Sequence, residues 1–381
     1  MPPLPNQRHL FDMPDGVSWF NCASRTPFLK ATAEAGLAGI NDRLHPWAWD
    51  AAATAARLER LRGLFAGLIG ATAGDIAVQP SASYGLATAA ANLPLAAGQD
   101  VLVLEDQFPS NVFIWQEKAA QAGARLVTVP RPADHDWTAA VLDRVGPRTA
   151  IAALPPCHWA DGGRVDLAAI GARCREVGAA LVADVTQSAG AQPFDVAAVR
   201  PDFLVSAAYK WLLCPIGMSF LYAAPHRQDG RPLEHHDYNH PVTGGSIEGR
   251  LVYDMAYSEG ARRFDVGQTH NLTLLPMAEA ALDQVARWTP AAVGETLAPV
   301  TARIADAAAE MGYQVVPERH RSGHFTAIRK GTLPPAGMIG RLAGRGIYAS
   351  LRCGGLRLAP HVYVADADVG RLLAALKGAW P

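Results

Sequence analysis

The sequence predicts an α/β fold: a mostly parallel sheet lying between helices, followed by a smaller C-terminal α+β domain. Three observations predict it. Between residues 101 and 222, short apolar runs suited to strands buried on both faces alternate with Ala- and Leu-rich helical stretches. Beyond residue 263 a helical series gives way to three more strand-like runs. The chain has 381 residues, 50% of them apolar, which is enough for two cores. The implied division is an N-terminal arm over 1–20, a large domain over 21–265 and a small domain over 266–381.

Taken in order, Ile76-Ala77-Val78 reads as a short strand, and an Ala-rich helix opens after Ser81 and runs through Ala91. Residues 101–105 form the next strand, followed by a helix over 115–122. A strand over 125–129 and a helix over 138–145 repeat the pattern. Strands over 149–154 and 180–184 flank a helix over 167–177, and strands over 203–206 and 218–222 close the series. From 225 to 263 Gly, Pro, His and Asp are frequent, and the segment reads as a long loop region. A helix over 275–286 then leads to strands over 314–316, 325–328 and 355–358. No internal repeat is present.

Several function classes are excluded early. Lys and Arg number 34 against 35 Asp and Glu, so no strongly basic surface is implied and nucleic acid is not an expected partner. The first eight residues lack the apolar core of a signal peptide, and no apolar run is long enough to span a membrane. The five cysteines, scattered without a CxxC pair, fit a reducing cytoplasm. The run His235-His236-Asp237-Tyr238-Asn239-His240 lacks metal-ligand spacing and reads as a loop.

The chemistry concentrates at two strand ends. Asp184 closes the run Leu181-Val182-Ala183, and Lys210 stands among apolar and aromatic residues before Trp211-Leu212-Leu213. A lysine there must be paired, neutral or covalently engaged. A Schiff base with the aldehyde of pyridoxal phosphate is one resolution, and Asp184 can supply the carboxylate that such a pyridine nitrogen needs. A purely structural Asp184–Lys210 ion pair is the alternative. Upstream, Ser81-Ala82-Ser83 opens a helix, where free N–H groups can hold a phosphate, although Ser81 also suits a simple N-cap.

With these residues in view, Ala183-Asp184-Val185-Thr186-Gln187-Ser188-Ala189-Gly190, Pro201-Asp202-Phe203 and Ser206-Ala207-Ala208-Tyr209-Lys210-Trp211 resemble the class V aminotransferase family. The likeness runs from Phe20-Asn21-Cys22-Ala23-Ser24 to Leu356-Arg357-Leu358-Ala359-Pro360-His361-Val362-Tyr363. It implies the fold-type I architecture of pyridoxal-phosphate enzymes, with a seven-stranded type of sheet. Relatives include cysteine desulfurases, kynureninases, isopenicillin N epimerase-like proteins and C–S lyases.

The resemblance also implies roles. Lys210 is the Schiff-base lysine and moves the Cα proton, Asp184 meets the pyridinium nitrogen, and Gln187 meets the ring oxygen. Ser81, Ala82 and Ser83 form the phosphate cup with Ser206 and Tyr209, and Phe108 stacks on the ring. Arg357 clamps the substrate carboxylate, with Asn21, His158 and Trp159 as further substrate-facing residues. Thr269 reaches the phosphate of a second subunit in a homodimer. Phe108 could instead be a core aromatic, Arg357 a solvated strand residue, and the His158-Trp159 pair simple packing.

The reaction is less legible. Cys353 stands four residues before Arg357 in a tight Arg352-Cys353-Gly354-Gly355 turn, whereas the desulfurase pattern has a longer loop there. Desulfurases also usually carry His at the positions of Phe108 and Tyr209. Phe108 and Tyr209 are more kynureninase-like, but the segment from Pro156 to Gly162 differs from that of kynureninases. The reading is an enzyme that deprotonates the Cα of a small amino acid, with an aminotransferase placed first. A C–S or C–C lyase is the alternative, and an epimerase or desulfurase ranks below. A non-catalytic relative would be expected to lose Lys210, Asp184 or Arg357. A Rossmann dehydrogenase lacks its GxGxxG.

Overall fold

A computed structural model describes residues 2–240, 253 and 255–380. Strand β1 (Ser18–Trp19) and helices α1 (Lys30–Asp42) and α2 (Ala51–Ile69) come first. Then follow β2 (Ile76–Gln79), α3 (Ala82–Asn92), β3 (Asp100–Leu104), α4 (Ser110–Ala122), β4 (Arg125–Val129), α5 (Trp137–Leu142) and β5 (Thr149–Leu154). Next come α6 (Leu167–Val177), β6 (Ala180–Asp184), α7 (Val196–Val199), β7 (Phe203–Ala207) and β8 (Ser219–Ala223). Helices α8 (Leu274–Trp288) and α9 (Pro290–Glu310) lead to β9 (Gln314–Val315), β10 (Thr326–Arg329), α10 (Met338–Ala343), β11 (Ile347–Tyr348), β12 (Ser350–Arg352), β13 (Gly355–Leu358) and α11 (Asp366–Leu376).

Among the described residues, the central sheet has seven strands in the order β2-β8-β7-β6-β5-β3-β4. Strand β8 runs antiparallel to both neighbours, and the remaining pairs are parallel. Apart from the edge strand β4, the strands are buried on both faces because alternate side chains enter different cores. Leu102, Leu104, Leu181, Ala183 and Leu204 join one cluster, whereas Val101, Val103, Val182, Phe203 and Val205 join the other. The chain reverses its lateral direction at β3 and β5: β4 lies outside β3, while β6 and β7 continue the other way. Such a switch point opens a crevice at the carboxyl ends of the strands.

Close approach of helix to sheet depends on glycine at one point. A Cβ on Gly85 in α3 would stand 2.7 Å from Val205 Cγ1 on β7, so α3 can settle against the sheet only without a side chain there. A second contact of this kind joins α1 to the segment before α8, where a Cβ on Gly39 would meet the Leu272 carbonyl oxygen at 2.1 Å.

The predicted strands over 125–129, 149–154, 180–184 and 355–358 coincide with β4, β5, β6 and β13. Helix α4 begins earlier than the expected 115, directly after Pro109, whose fixed φ suits a helix start. Helix α5 begins at Trp137 and ends at Leu142, three residues before the expected stop. Asp136 caps its start by accepting from the Ala139 N–H. The region 225–263 contains two short 3-10 turns, Pro225–Arg227 and Gly260–Phe264, and residues 241–252 and 254 lie outside the described residues.

Beyond residue 266, α8 packs its apolar residues Leu275, Leu282 and Val285 into the large core with α2. The smaller unit holds the four-stranded antiparallel sheet β12-β13-β10-β9. Its core includes Phe20, and β1 pairs in parallel with β11. Residues 18–20 of the expected N-terminal arm are thus built into the C-terminal unit.

Candidate active site

The sheet delivers polar residues to one crevice. Asp184 is the last residue of β6, Lys210 lies three residues beyond β7, Trp159 follows β5, and Phe108 follows β3. Ser81 caps α3 directly after β2. These five residues line a cavity of about 310 Å³, the scale of a small-molecule site.

Lys210 is buried, and burial lowers its pKa to about 8, with the nearby positive charge of Arg357 acting in the same direction. Asp184 is pushed upward by burial, against hydrogen bonds from Thr186 and the charge of Lys210. Among the described residues the two groups form no direct ion pair, so they act on each other as charges across the cavity. The Lys210 Nζ stands 5.2 Å from the Phe108 ring centroid and 5.6 Å from that of Tyr209. The Thr26 hydroxyl donates to the Lys210 carbonyl at 2.8 Å and holds its backbone in place.

At the start of α3, the Ser81 Oγ accepts the Tyr84 N–H at 3.2 Å and lies 2.9 Å from the Ser83 Oγ. Ser81 is therefore an N-cap. The next two N–H groups, on Ala82 and Ser83, still lack helical acceptors and border the cavity. Gln187 lines the cavity with its amide already engaged: Nε2 donates to the Ala23 carbonyl at 2.9 Å, and Oε1 accepts from Trp211 Nε1 at 3.0 Å.

Arg357 is 1% exposed, so its strand face is not solvated. It donates to the Trp159 carbonyl at 2.8 Å and the Ser24 hydroxyl at 2.5 Å, and it meets no carboxylate among the described residues. Burial lowers its pKa to about 9, helped by the charge of Arg352. Phe108 is 38% exposed and meets Trp159 edge-on at 5.3 Å, so it is a wall residue and not a core aromatic. Trp159 Nε1 donates to the Asp106 carbonyl at 2.6 Å.

Other candidates lie elsewhere. His158 is buried with its ring stacked 5.3 Å from Trp137, and its Nε2 lies 3.0 Å from the Glu105 carbonyl oxygen. Ser206 is buried in β7, and its neighbour Ala207 forms the cavity wall. Asn21 bridges to Ala359, with its side-chain oxygen buried and unpartnered among the described residues. Thr269 is buried away from the cavity, and its Oγ1 likewise has no partner among the described residues. Cys353 is exposed at a positive φ of 44° in the β12–β13 turn, and partial desolvation of its thiol raises its pKa.

Sequence reasoning did not single out Thr186, Ser24 or Arg352. Thr186 Oγ1 accepts the Ala207 N–H at 3.0 Å and lines the cavity. Its signal was a hydroxyl two residues after a strand-end aspartate. Nothing in the sequence brings Ser24 to Arg357, which lies 333 positions away.

Comparison with known proteins adds the lineage. The family described as Aminotransferase class-V matches residues 45–322. An uncharacterised aminotransferase, YcbU, of Bacillus subtilis is 26% identical over 320 residues, covering 81% of this chain and 80% of its own. A kynureninase of Deinococcus radiodurans is 30% identical over 299 residues, covering 74% of this chain and 68% of its own. Among solved structures, the cysteine desulfurase of Thermococcus onnurineus superposes with a TM-score of 0.85 at 18% identity, over 99% of both chains. The cystine C–S lyase C-DES in complex with cysteine persulfide gives 0.85 at 19% identity, over 96% of this chain and 99% of its own.

The residues fit pyridoxal phosphate. A buried, largely desolvated amine at Lys210 can take the aldehyde, and the free N–H groups and hydroxyls at the start of α3 can take the phosphate. Asp184, buried without a basic hydrogen-bond partner, can take a protonated ring nitrogen.

Proposed function

The chain belongs to the class-V aminotransferase family and is a pyridoxal-phosphate enzyme, and from that premise we propose that it removes the Cα proton of a small amino acid and acts as an aminotransferase. The observation that carries this reading is Lys210: a sealed amine, shifted to about 8, facing the same cavity as a buried Asp184.

When bound, the cofactor supplies an electron sink for the charge left as the Cα proton departs. Lys210 Nζ, partly neutral near pH 7, takes that proton and can return it. Asp184 would face the ring nitrogen and favour its protonated form. The start of α3, with Ser81, Ala82 and Ser83, would hold the phosphate, together with Tyr209, whereas the Ser206 hydroxyl is buried in β7 and donates to the Ala207 carbonyl. Phe108 would cover the cofactor ring, and Gln187 would offer the ring oxygen its remaining amide hydrogen. Arg357, which lacks a carboxylate of its own, binds that of the substrate. Trp159 borders it, and His158 holds the wall behind Trp159 through its stack on Trp137.

A homodimer with shared sites completes this picture. It is supported by Ile216, a cavity-wall residue left 57% exposed. All five cysteines are free, which supports a reducing compartment such as the cytoplasm. Among the described residues no helix is long and apolar enough to cross a membrane.

A β-lyase would use the same first residues, so the test must separate products. The holoenzyme is mixed with single amino acids in the absence of keto acid, and the cofactor spectrum and released products are followed. One equivalent of keto acid with conversion to the amine form of the cofactor supports transamination. Multiple turnovers releasing a thiol, sulfide or aromatic fragment overturn it in favour of a lyase.

A further inference from the structure

Two guanidinium groups, and not one, converge beside the cavity. Arg352 and Arg357, on the paired strands β12 and β13, both donate to the Ser24 hydroxyl, at 3.2 and 2.5 Å. Their Cζ atoms lie 5.9 and 5.7 Å from the centroid of the Trp159 ring, which forms the cavity wall. The other hydrogen-bond partner of Arg352 is the Leu351 carbonyl, so this cation too meets only neutral oxygens among the described residues. Among the described residues Arg321 also meets only a backbone carbonyl, that of Val316, but other enclosed arginines are paired with acids. Arg62 meets Asp265, and Arg131 and Arg329 share Asp161.

The local charge count is therefore one-sided. Lys210, Arg352 and Arg357 lie close enough for both guanidinium charges to disfavour protonation of the lysine, and Asp184 is the acid that opposes them. A single α-carboxylate neutralises one guanidinium and leaves the other facing it across Ser24. Like charges held this close in a partly enclosed site are costly unless a ligand brings a second anion.

We propose that Arg352 is a specificity-determining residue that receives a second anionic group, so that the preferred substrates are amino acids with an acidic side chain. Arg357 takes the α-carboxylate and Arg352 the distal one, with Ser24 as the shared hydroxyl between the two forks. Trp159 supplies the flat surface along which both guanidinium groups rest. This inference rests on the Cα-deprotonation reading above and narrows its substrate class.

The test compares matched pairs, L-aspartate with L-asparagine and L-glutamate with L-glutamine, in the holoenzyme and in its Arg352→Gln and Arg352→Lys variants. A second measurement is calorimetric binding of succinate against propionate, which needs no turnover. The acidic member of at least one pair should be preferred by about tenfold or more in kcat/KM, and succinate should bind about tenfold more tightly than propionate. Arg352→Gln should collapse both ratios toward one, with partial recovery in Arg352→Lys. Equal or reversed preference, or ratios untouched by Arg352→Gln, overturns the role of Arg352 and leaves the amino-acid reading standing. A holoenzyme whose spectrum answers none of the four amino acids, with succinate and propionate bound alike, overturns both.

Discussion

Arg62 and Asp265, 203 positions apart, form a buried ion pair with two hydrogen bonds, at 3.0 and 2.5 Å. The same carboxylate accepts the Val78 N–H at 2.8 Å, and Arg62 also donates to the Ile76 carbonyl at 2.6 Å. One pair thus fastens α2 and β2 to the segment that leads into Thr269.

Removing one partner leaves the other charge buried. Arg62→Ala should cost roughly 3–5 kcal/mol of stability, read as a lowered urea midpoint. The double replacement Arg62→Met with Asp265→Leu should recover much of that loss. A single variant as stable as the parent would show that the pair contributes nothing.

The depressed pKa of Lys210 predicts how the apoprotein takes up its cofactor. At pH 7 about one lysine in ten is neutral if the pKa is about 8, against roughly one in three thousand for an ordinary lysine. The rate of aldehyde capture should therefore climb about tenfold between pH 7 and pH 9 and then level off. Stopped-flow absorbance on apoprotein measures it. A rate still rising steeply past pH 10 would place Lys210 at its ordinary value.

The same shift has a sign in stability. The usual lysine value of 10.5 applies to the unfolded chain and about 8 to the folded apoprotein, so between these values the unfolded chain holds more protons. Apoprotein stability from this group rises with pH through that window and is lowest, and constant, below about 8. Lys210→Met should stabilise the apoprotein at pH 7 by on the order of 3 kcal/mol at most, an advantage that shrinks toward pH 10.5. Denaturant midpoints at pH 7 and pH 10 decide it, and a destabilised variant at pH 7 would contradict it.

Arg357→Gln should lower kcat/KM for α-amino acids by about 100-fold, the scale of a lost charge-assisted pair. Amines without a carboxylate should be converted as before. An equal loss for both kinds of substrate would mean that Arg357 shapes the site without binding the acid.

Much of this was legible in the sequence because the central strands are buried on both faces. Runs such as residues 149–154 and 180–184 carry no polar interruption, and their ends coincide with β5 and β6. Asp184 and Lys210 stood out for the same reason, as charges set at the ends of such runs. Helix α1 left no such trace, since its buried face is Thr32, Gly36 and Gly39, with no apolar stripe to count. The convergence of Ser24 with Arg352 and Arg357 is a tertiary event across more than three hundred positions. His158 was read with Trp159 because they are adjacent, but the backbone sends one ring to Trp137 and the other to the cavity.

The pairing of β1 with β11, and of Asn21 with Ala359, also sets an order of assembly. The central sheet can form from neighbouring segments while synthesis proceeds. Residues 18–21 find their partners only after some of the last segments have been made, and closing so long a loop delays that step. Ser24 sits just beyond this late seam, and the two arginines it joins lie between the seam's two partner segments. The carboxylate pocket therefore joins the early and late parts of the chain, and it exists only once that long loop has closed.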